Sequence, residues 1–216
     1  MTGSANLADM QNQVNLFLAT HLGNASSTAL YTFWGGADDI LGAQNPVTAA
    51  DNIAAQITQV AADGGHNFLW LNLPGLGGVP AINSDPAAAA AANFASMAFN
   101  QEWATQVGNL NGLGINVIGV DIDTLYSDIL ANPAAYGFND VADACNATVG
   151  CNPDTFLYWD SLHPTTSADS FVANLAYEDA FGSTVATPEP PSITLFALGG
   201  AALLMFWRSR RQMAHP

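Results

Sequence analysis

Residues 28–35 read TALYTFWG, a continuous apolar run closed by glycines. Two runs of the same kind follow, NFLWLNL at 67–73 and INVIGVD at 115–121. Each has strand length and lacks the polar alternation of a strand with one wet face. They read as strands buried on both faces, the mark of a parallel sheet. Between the first two lies a helix with clear ends. Asn45 is placed to cap it, Pro46 suits its first turn, and Gly64 and Gly65 stop it, with Ile53, Ile57 and Val60 on the inner face. Asp85-Pro86 opens a second helix, predicted to turn Phe94, Met97, Trp103, Val107 and Leu110 inward. A short helix near 124–130 follows the third strand, and a last one runs from about 164 to 181. Leu7, Met10, Val14, Phe17 and Leu18 fall at helical spacing at the front of the chain. The alternation predicts an α/β fold, a three-layer α/β/α sandwich around a parallel sheet.

The chain has 216 residues, half of them hydrophobic and only 10% charged. That length supports one domain with a sizeable core, and the composition excludes disorder. Eighteen acidic residues face three basic ones, Arg208, Arg210 and Arg211, so residues 1–207 hold no cationic side chain. Such a body has no footprint for nucleic-acid phosphates and is repelled by anionic surfaces. Neutral and cationic substrates stay open.

Asp160-Ser161-Leu162-His163-Pro164-Thr165 is the strongest motif. An acid three residues before a histidine can hold the imidazole in one tautomer while the other ring nitrogen takes a proton from a nucleophile. Taken alone, the pair also fits a surface contact or a helix cap. A second block, Trp34-Gly35-Gly36-Ala37-Asp38-Asp39-Ile40, ends the first strand. Taken alone, it reads as a glycine-rich turn with two capping acids. Together the blocks resemble the SGNH, or GDSL-type, ester hydrolases. There the motif's aspartate and histidine belong to a catalytic triad, which implies those roles for Asp160 and His163. In that family a Gly-x-Asn-Asp element follows a strand. Gly36 matches its glycine, Asp39 its aspartate, and Asp38 falls where the asparagine belongs. The family's asparagine donates into the oxyanion hole. An ionised Asp38 has no proton to donate, and losing one such donor costs about 10²–10³ in rate.

Further stretches carry the same resemblance, which covers roughly residues 7–181. They are Gln11-x-x-Val14, Leu30-Tyr31, Asn72-Leu73-Pro74, Phe99-Asn100, Asn132-Pro133-Ala134-Ala135-Tyr136-Gly137-Phe138 and Tyr158-Trp159-Asp160. The family's nucleophilic serine lies in a Gly-Asp-Ser block near the N-terminus, and no Gly-Asp-Ser occurs in these 216 residues. Ser4 and Ser161 are substitutes by type only. The family's first strand would lie beside residues 28–35, so its absence predicts an open sheet edge and a chain that is poorly soluble or associates.

The C-terminus carries Pro188-Glu189-Pro190, then an apolar run over 191–207 without a charge, then Arg208-Ser209-Arg210-Arg211. This resembles the PEP-CTERM sorting tail of Gram-negative bacteria, which an exosortase removes. The resemblance implies export, a transient membrane anchor with the basic end cytoplasmic, and release at the cell surface or outside. Residues 1–20 nevertheless lack a basic, apolar export leader. The expectation is therefore a start inside a longer reading frame, or another export route. The expected parts are a partial hydrolase domain at 1–183, a linker at 184–190, a transmembrane helix at 191–207 and a basic tail at 208–216.

Residues 132–158 read as one long loop holding both cysteines. In an exported chain Cys145 and Cys151 are expected to form a local disulfide that pins it. Asp121, Asp123 and Asp128 are expected to cap and solvate a helix start rather than bind calcium. Trp34, Trp70 and Trp103 are expected in the core. The implied activity is hydrolysis of a small ester or lipid without metal or organic cofactor. Two alternatives stay open. One is a non-catalytic, exosortase-sorted surface or matrix protein on the same scaffold. The other is a metal-dependent phosphoesterase built on Asp38, Asp39, Asp121 and His163.

Overall fold

The computed structural model describes residues 9–21 and 23–182. The expected Pro-Glu-Pro element, apolar helix and basic tail lie outside these residues. Among the described residues, no helix is long and apolar enough to cross a membrane.

Helix α1 spans Met10–His21. Strands β1 (Leu30–Phe33), β2 (Asn67–Leu71) and β3 (Asn116–Val120) form one parallel sheet in that order. Phe33 lies opposite Trp70, and Trp70 opposite Gly119. β1 is shorter than its apolar run because Gly36, at φ 102°, turns the chain into the brief helix α2 (Ala37–Leu41).

Helix α3 (Pro46–Ala62) has the expected ends: the Asn45 side chain accepts from Thr48 N, and Pro46 fills the first turn. Ile53, Ile57 and Val60 are buried as expected. Helix α4 (Pro86–Gly112) is capped by Asp85, which accepts from Ala87 N and Ala88 N. Tyr31, Phe33, Phe68, Trp70 and Gly119 share one sheet face by register. Phe17 of α1 meets the Tyr31 ring edge-on at 5.6 Å. The Trp103 ring of α4 lies over Gly119, where any Cβ would strike it, and its Nε1 donates to Trp70 O at 3.1 Å. Three helices thus cover this face, and α3 packs along α4.

Helix α4 corrects one expectation. Phe94 is 68% exposed and Met97 48%. The buried face instead carries Ala92, Ser96, Phe99 and Leu110. Its phase is set by polar groups that satisfy a neighbouring loop. Asn93 Oδ1 accepts from Gly77 N, Ser96 Oγ from Leu76 N and Asn100 Oδ1 from Leu73 N. A buried loop N–H without a partner costs about 1–3 kcal/mol, as much as burying an aromatic gains. Trp34 also departs from expectation, being 40% exposed, whereas Trp70 is fully buried.

Beyond β3 come α5 (Ile122–Ala131), β4 (Asp140–Ala144), β5 (Phe156–Tyr158) and α6 (Thr166–Phe181). Residues 132–158 are therefore not one loop. β4 and β5 pair in parallel, with 3-10 turns at Pro133–Tyr136, Cys145–Ala147 and Pro153–Thr155. Cys145 and Cys151 are disulfide-bonded with Cα atoms 5.4 Å apart. Phe138 and Leu157 are buried, and the Phe138 ring lies 5.9 Å from that of Phe171 on α6.

Candidate active site

The turn between β5 and α6 is built around Asp160. Its Oδ1 accepts from Leu162 N at 2.8 Å and His163 N at 2.7 Å. The chain folds back at once: Trp159 N donates to His163 O, and Tyr158 bridges to Pro164. Thr165 locks the exit. Buried, it donates from Oγ1 to Phe156 O and accepts Ala168 N, capping α6. The disulfide segment braces the other side, where Asn146 N donates to Trp159 O.

This turn brings the carboxylate to the ring. His163 Nδ1 lies 2.9 Å from Asp160 Oδ2 and 3.1 Å from Oδ1. The backbone N–H groups of His163 and Leu162, then the His163 ring, hold the Asp160 carboxyl down at about 2. An ionised carboxylate only accepts, so the contact places the proton on Nδ1 and leaves the Nε2 lone pair outward. The His163 side chain is 74% exposed. Burial pushes Asp169, on α6, up, while the nearby His163 pulls it down.

Gly36, Asp38 and Asp39 lie where the chain leaves β1 and enters α2. Gly36 packs on the Phe99 ring of α4 so closely that any Cβ would overlap it. Burial and the adjacent Asp38 push Asp39 up. Among the described residues, no hydrogen bond or ion pair joins this block to His163 or Asp160. They are linked through the backbone at 72–85. Trp34 Nε1 donates to Asn72 O at one end, and Ala81 N donates to Ser161 O at the other. Asn83 Nδ2 adds a 2.7 Å bond to Ala142 O on β4.

Asn72, which the sequence offered only as part of Asn72-Leu73-Pro74 and without a role, is a central scaffold residue. It is 3% exposed. Its Nδ2 donates to Asp121 Oδ1 at 2.8 Å, and its Oδ1 accepts from Ile122 N and Asp123 N. Asp121 in turn caps α5, accepting from Thr124 N and Thr124 Oγ1. Burial raises the Asp121 carboxyl, but these bonds outweigh it and hold it below its ordinary value. The capping expectation for Asp121 therefore has a concrete basis. Among the described residues, no three His, Cys, Asp or Glu side chains gather where they could hold a metal ion. Asp38, Asp39, Asp121 and His163 thus form no such group.

Residues 1–176 match the family model described as GDSL-like Lipase/Acylhydrolase. The chain belongs to this family. It is 29% identical to a GDSL esterase/lipase of Arabidopsis thaliana over 152 residues, covering 62% of this chain and 39% of that one. It is 31% identical to Esterase EstA of Pseudomonas aeruginosa over 175 residues, covering 71% of this chain and 26% of that one. A Pseudomonas putida protein from the trpE-trpG intergenic region is 28% identical over 74% of this chain and 30% of its own length. The chain thus spans between about a quarter and two fifths of these relatives.

Proposed function

We propose that this chain supplies the base-bearing half of an exported serine ester hydrolase. His163 acts as general base through Nε2 and then as general acid toward the leaving alcohol. Asp160 fixes its tautomer and stabilises the charged ring. The nucleophilic serine comes from a Gly-Asp-Ser segment, a sequence that does not occur within these 216 residues. Gly36, Asp38 and Asp39 form the turn beside the oxyanion site, on a three-layer sandwich. The substrate is a small neutral ester or lipid, consistent with a body free of cationic side chains. The Pro188-Glu189-Pro190 tail directs exosortase processing at the membrane and release outside. The observation that carries this reading is the 2.9 Å contact between His163 Nδ1 and an Asp160 carboxylate held ionised by its own turn. Family membership supports the same class of chemistry.

The test is reconstitution. A Gly-Asp-Ser segment taken from a family relative is fused upstream, and a short-chain nitrophenyl ester is offered. Hydrolysis that disappears in His163→Ala supports the proposal. Inactivity of the fusion, restored by Asp38→Asn, favours a second reading: a non-catalytic surface protein whose lineage lost the asparagine donor. Asp38 at the asparagine's place is the observation behind that alternative.

A further inference from the structure

The turn that carries Asp160 and His163 is the tip of a short antiparallel ribbon. Thr165 N donates to Leu157 O and Trp159 N donates to His163 O, with Tyr158 paired to Pro164 between them. This register sets Trp159 directly opposite His163. Residues opposite one another in an antiparallel pair project from the same face, with Cβ atoms about 5 Å apart. Tyr158, one residue earlier, points the other way and is buried. The Trp159 indole therefore stands beside the His163 imidazole. The fold holds Trp159 by its main chain: its N donates to His163 O and its O accepts from Asn146 N. Those bonds ask only for a residue other than proline. Trp34 and Trp103, by contrast, spend their indole N–H groups on Asn72 O and Trp70 O. Trp159 is 47% exposed, so much of its apolar face is free to meet a ligand.

We propose that Trp159 is a substrate-binding residue that reads the alcohol half of the ester and favours a flat, neutral alcohol. The inference rests on the general-acid role given to His163 above. As the acyl–oxygen bond breaks, the Nε2 proton passes to the leaving oxygen, which lies within about 2.6–3.2 Å of it. The first carbons of the alcohol are thereby brought beside the imidazole, on the face that Trp159 shares. The acyl chain extends from the carbonyl carbon in another direction. An aromatic ring on the indole gains about two- to tenfold beyond the effect of buried area alone. Charge narrows the choice. Asp160, the next residue, is an ionised carboxylate, and no lysine or arginine precedes Arg208, so an anionic alcohol is disfavoured.

Two acetates test it in the Gly-Asp-Ser fusion described above, benzyl and cyclohexylmethyl. Their alcohols are close in size, and only benzyl is flat. Each kcat/KM is divided by the rate of hydroxide hydrolysis of the same ester. The expected benzyl value exceeds the cyclohexylmethyl value by about threefold or more. Trp159→Leu is expected to bring the two values together, and Trp159→Phe to restore most of the difference. A merely structural role for the indole lowers both esters alike and leaves their ratio in place. The two product alcohols are also titrated into the full chain without the fusion, with the Trp159 indole N–H followed by NMR. Saturable shifts are expected, with benzyl alcohol bound about threefold more tightly or better. An inert fusion would count against the catalytic reading, and the titration would then decide this inference alone. Three results would overturn it: equal values for the two esters in the wild-type fusion, a ratio unchanged in Trp159→Leu, or no saturable shift at Trp159 with tens of millimolar benzyl alcohol.

Discussion

Replacing Asn72 by Ala tests whether the loop after β2 is held by one buried amide. The substitution removes one donor to Asp121 Oδ1 and leaves two N–H groups, of Ile122 and Asp123, without their acceptor. Ile122 is fully buried, so its N–H cannot turn to water. That loss alone costs about 1–3 kcal/mol. The Asp123 N–H is only partly buried and adds about 1 kcal/mol. The expected destabilisation is about 2–4 kcal/mol, a large share of the roughly 5–15 kcal/mol that holds a domain together. In urea unfolding, with a slope near 2 kcal/mol per M, the midpoint falls by about 1–2 M at an unchanged slope. Asn72→Asp separates the two halves of the role. It keeps an acceptor for both N–H groups but faces Asp121 with a second carboxylate. Its deficit relative to wild type is therefore expected at pH 7 and shrinks toward pH 4, as one of the pair takes a proton. A midpoint within 0.3 M of wild type for the Ala variant, or an Asp variant whose deficit ignores pH, would refute the reasoning.

Gly36→Ala is expected to destabilise by about 2–4 kcal/mol in the same assay, because φ 102° strains any Cβ and Phe99 occupies its space; the exposed Phe94→Gln should stay within about 0.5 kcal/mol of wild type. Cys145 and Cys151 close a loop of sequence separation 6, so reduction or Cys151→Ser is expected to cost about 2 kcal/mol and to loosen the Asn146–Trp159 bond, read as faster amide exchange at Asn146. Asp160 is held at about 2 when folded against an ordinary 3.8, so its stabilisation is complete above pH 4 and is lost as pH falls from about 4 to 2. At a side chain 30% exposed this amounts to about 1 kcal/mol after solvent screening. The stability gap between wild type and Asp160→Asn should therefore close across that range of acid.

The three apolar runs were legible as strands by length and apolarity, but burial on both faces holds only for β2. In β1 Leu30 and Thr32 are exposed and only Phe33 is buried, and β3 is partly buried. The capped helices were legible because Asn45-Pro46 and Asp85-Pro86 state where helices begin. The phase of α4 was not legible from hydrophobicity. Phe94 and Met97 outrank Asn93, Ser96 and Asn100 on any apolar scale, yet the loop at 73–77 needs those polar groups. The signal was there in polar residues spaced three and four apart beside Phe99. β4 was hidden for a related reason: Asp-Val-Ala-Asp-Ala is short, half exposed and poor in strong strand formers. Asp160 and His163 were legible as a pair because their contact is local, closed by one turn of three residues. The relation of Gly36–Asp39 to that pair was not, since it runs through the 72–85 backbone, whose hydrogen bonds no side-chain motif encodes. Asn72 was visible as part of Asn-Leu-Pro, but its partners at 121–123 lie some fifty residues away.

The most direct test of the account is the tautomer of His163, read by nitrogen-15 NMR on the neutral ring at pH 8. The account predicts a proton on Nδ1 and a bare lone pair on Nε2, with that preference weakened in Asp160→Asn. A proton on Nε2, or a tautomer mixture indifferent to the substitution, would contradict it, because the ring would then have no base to offer a nucleophile.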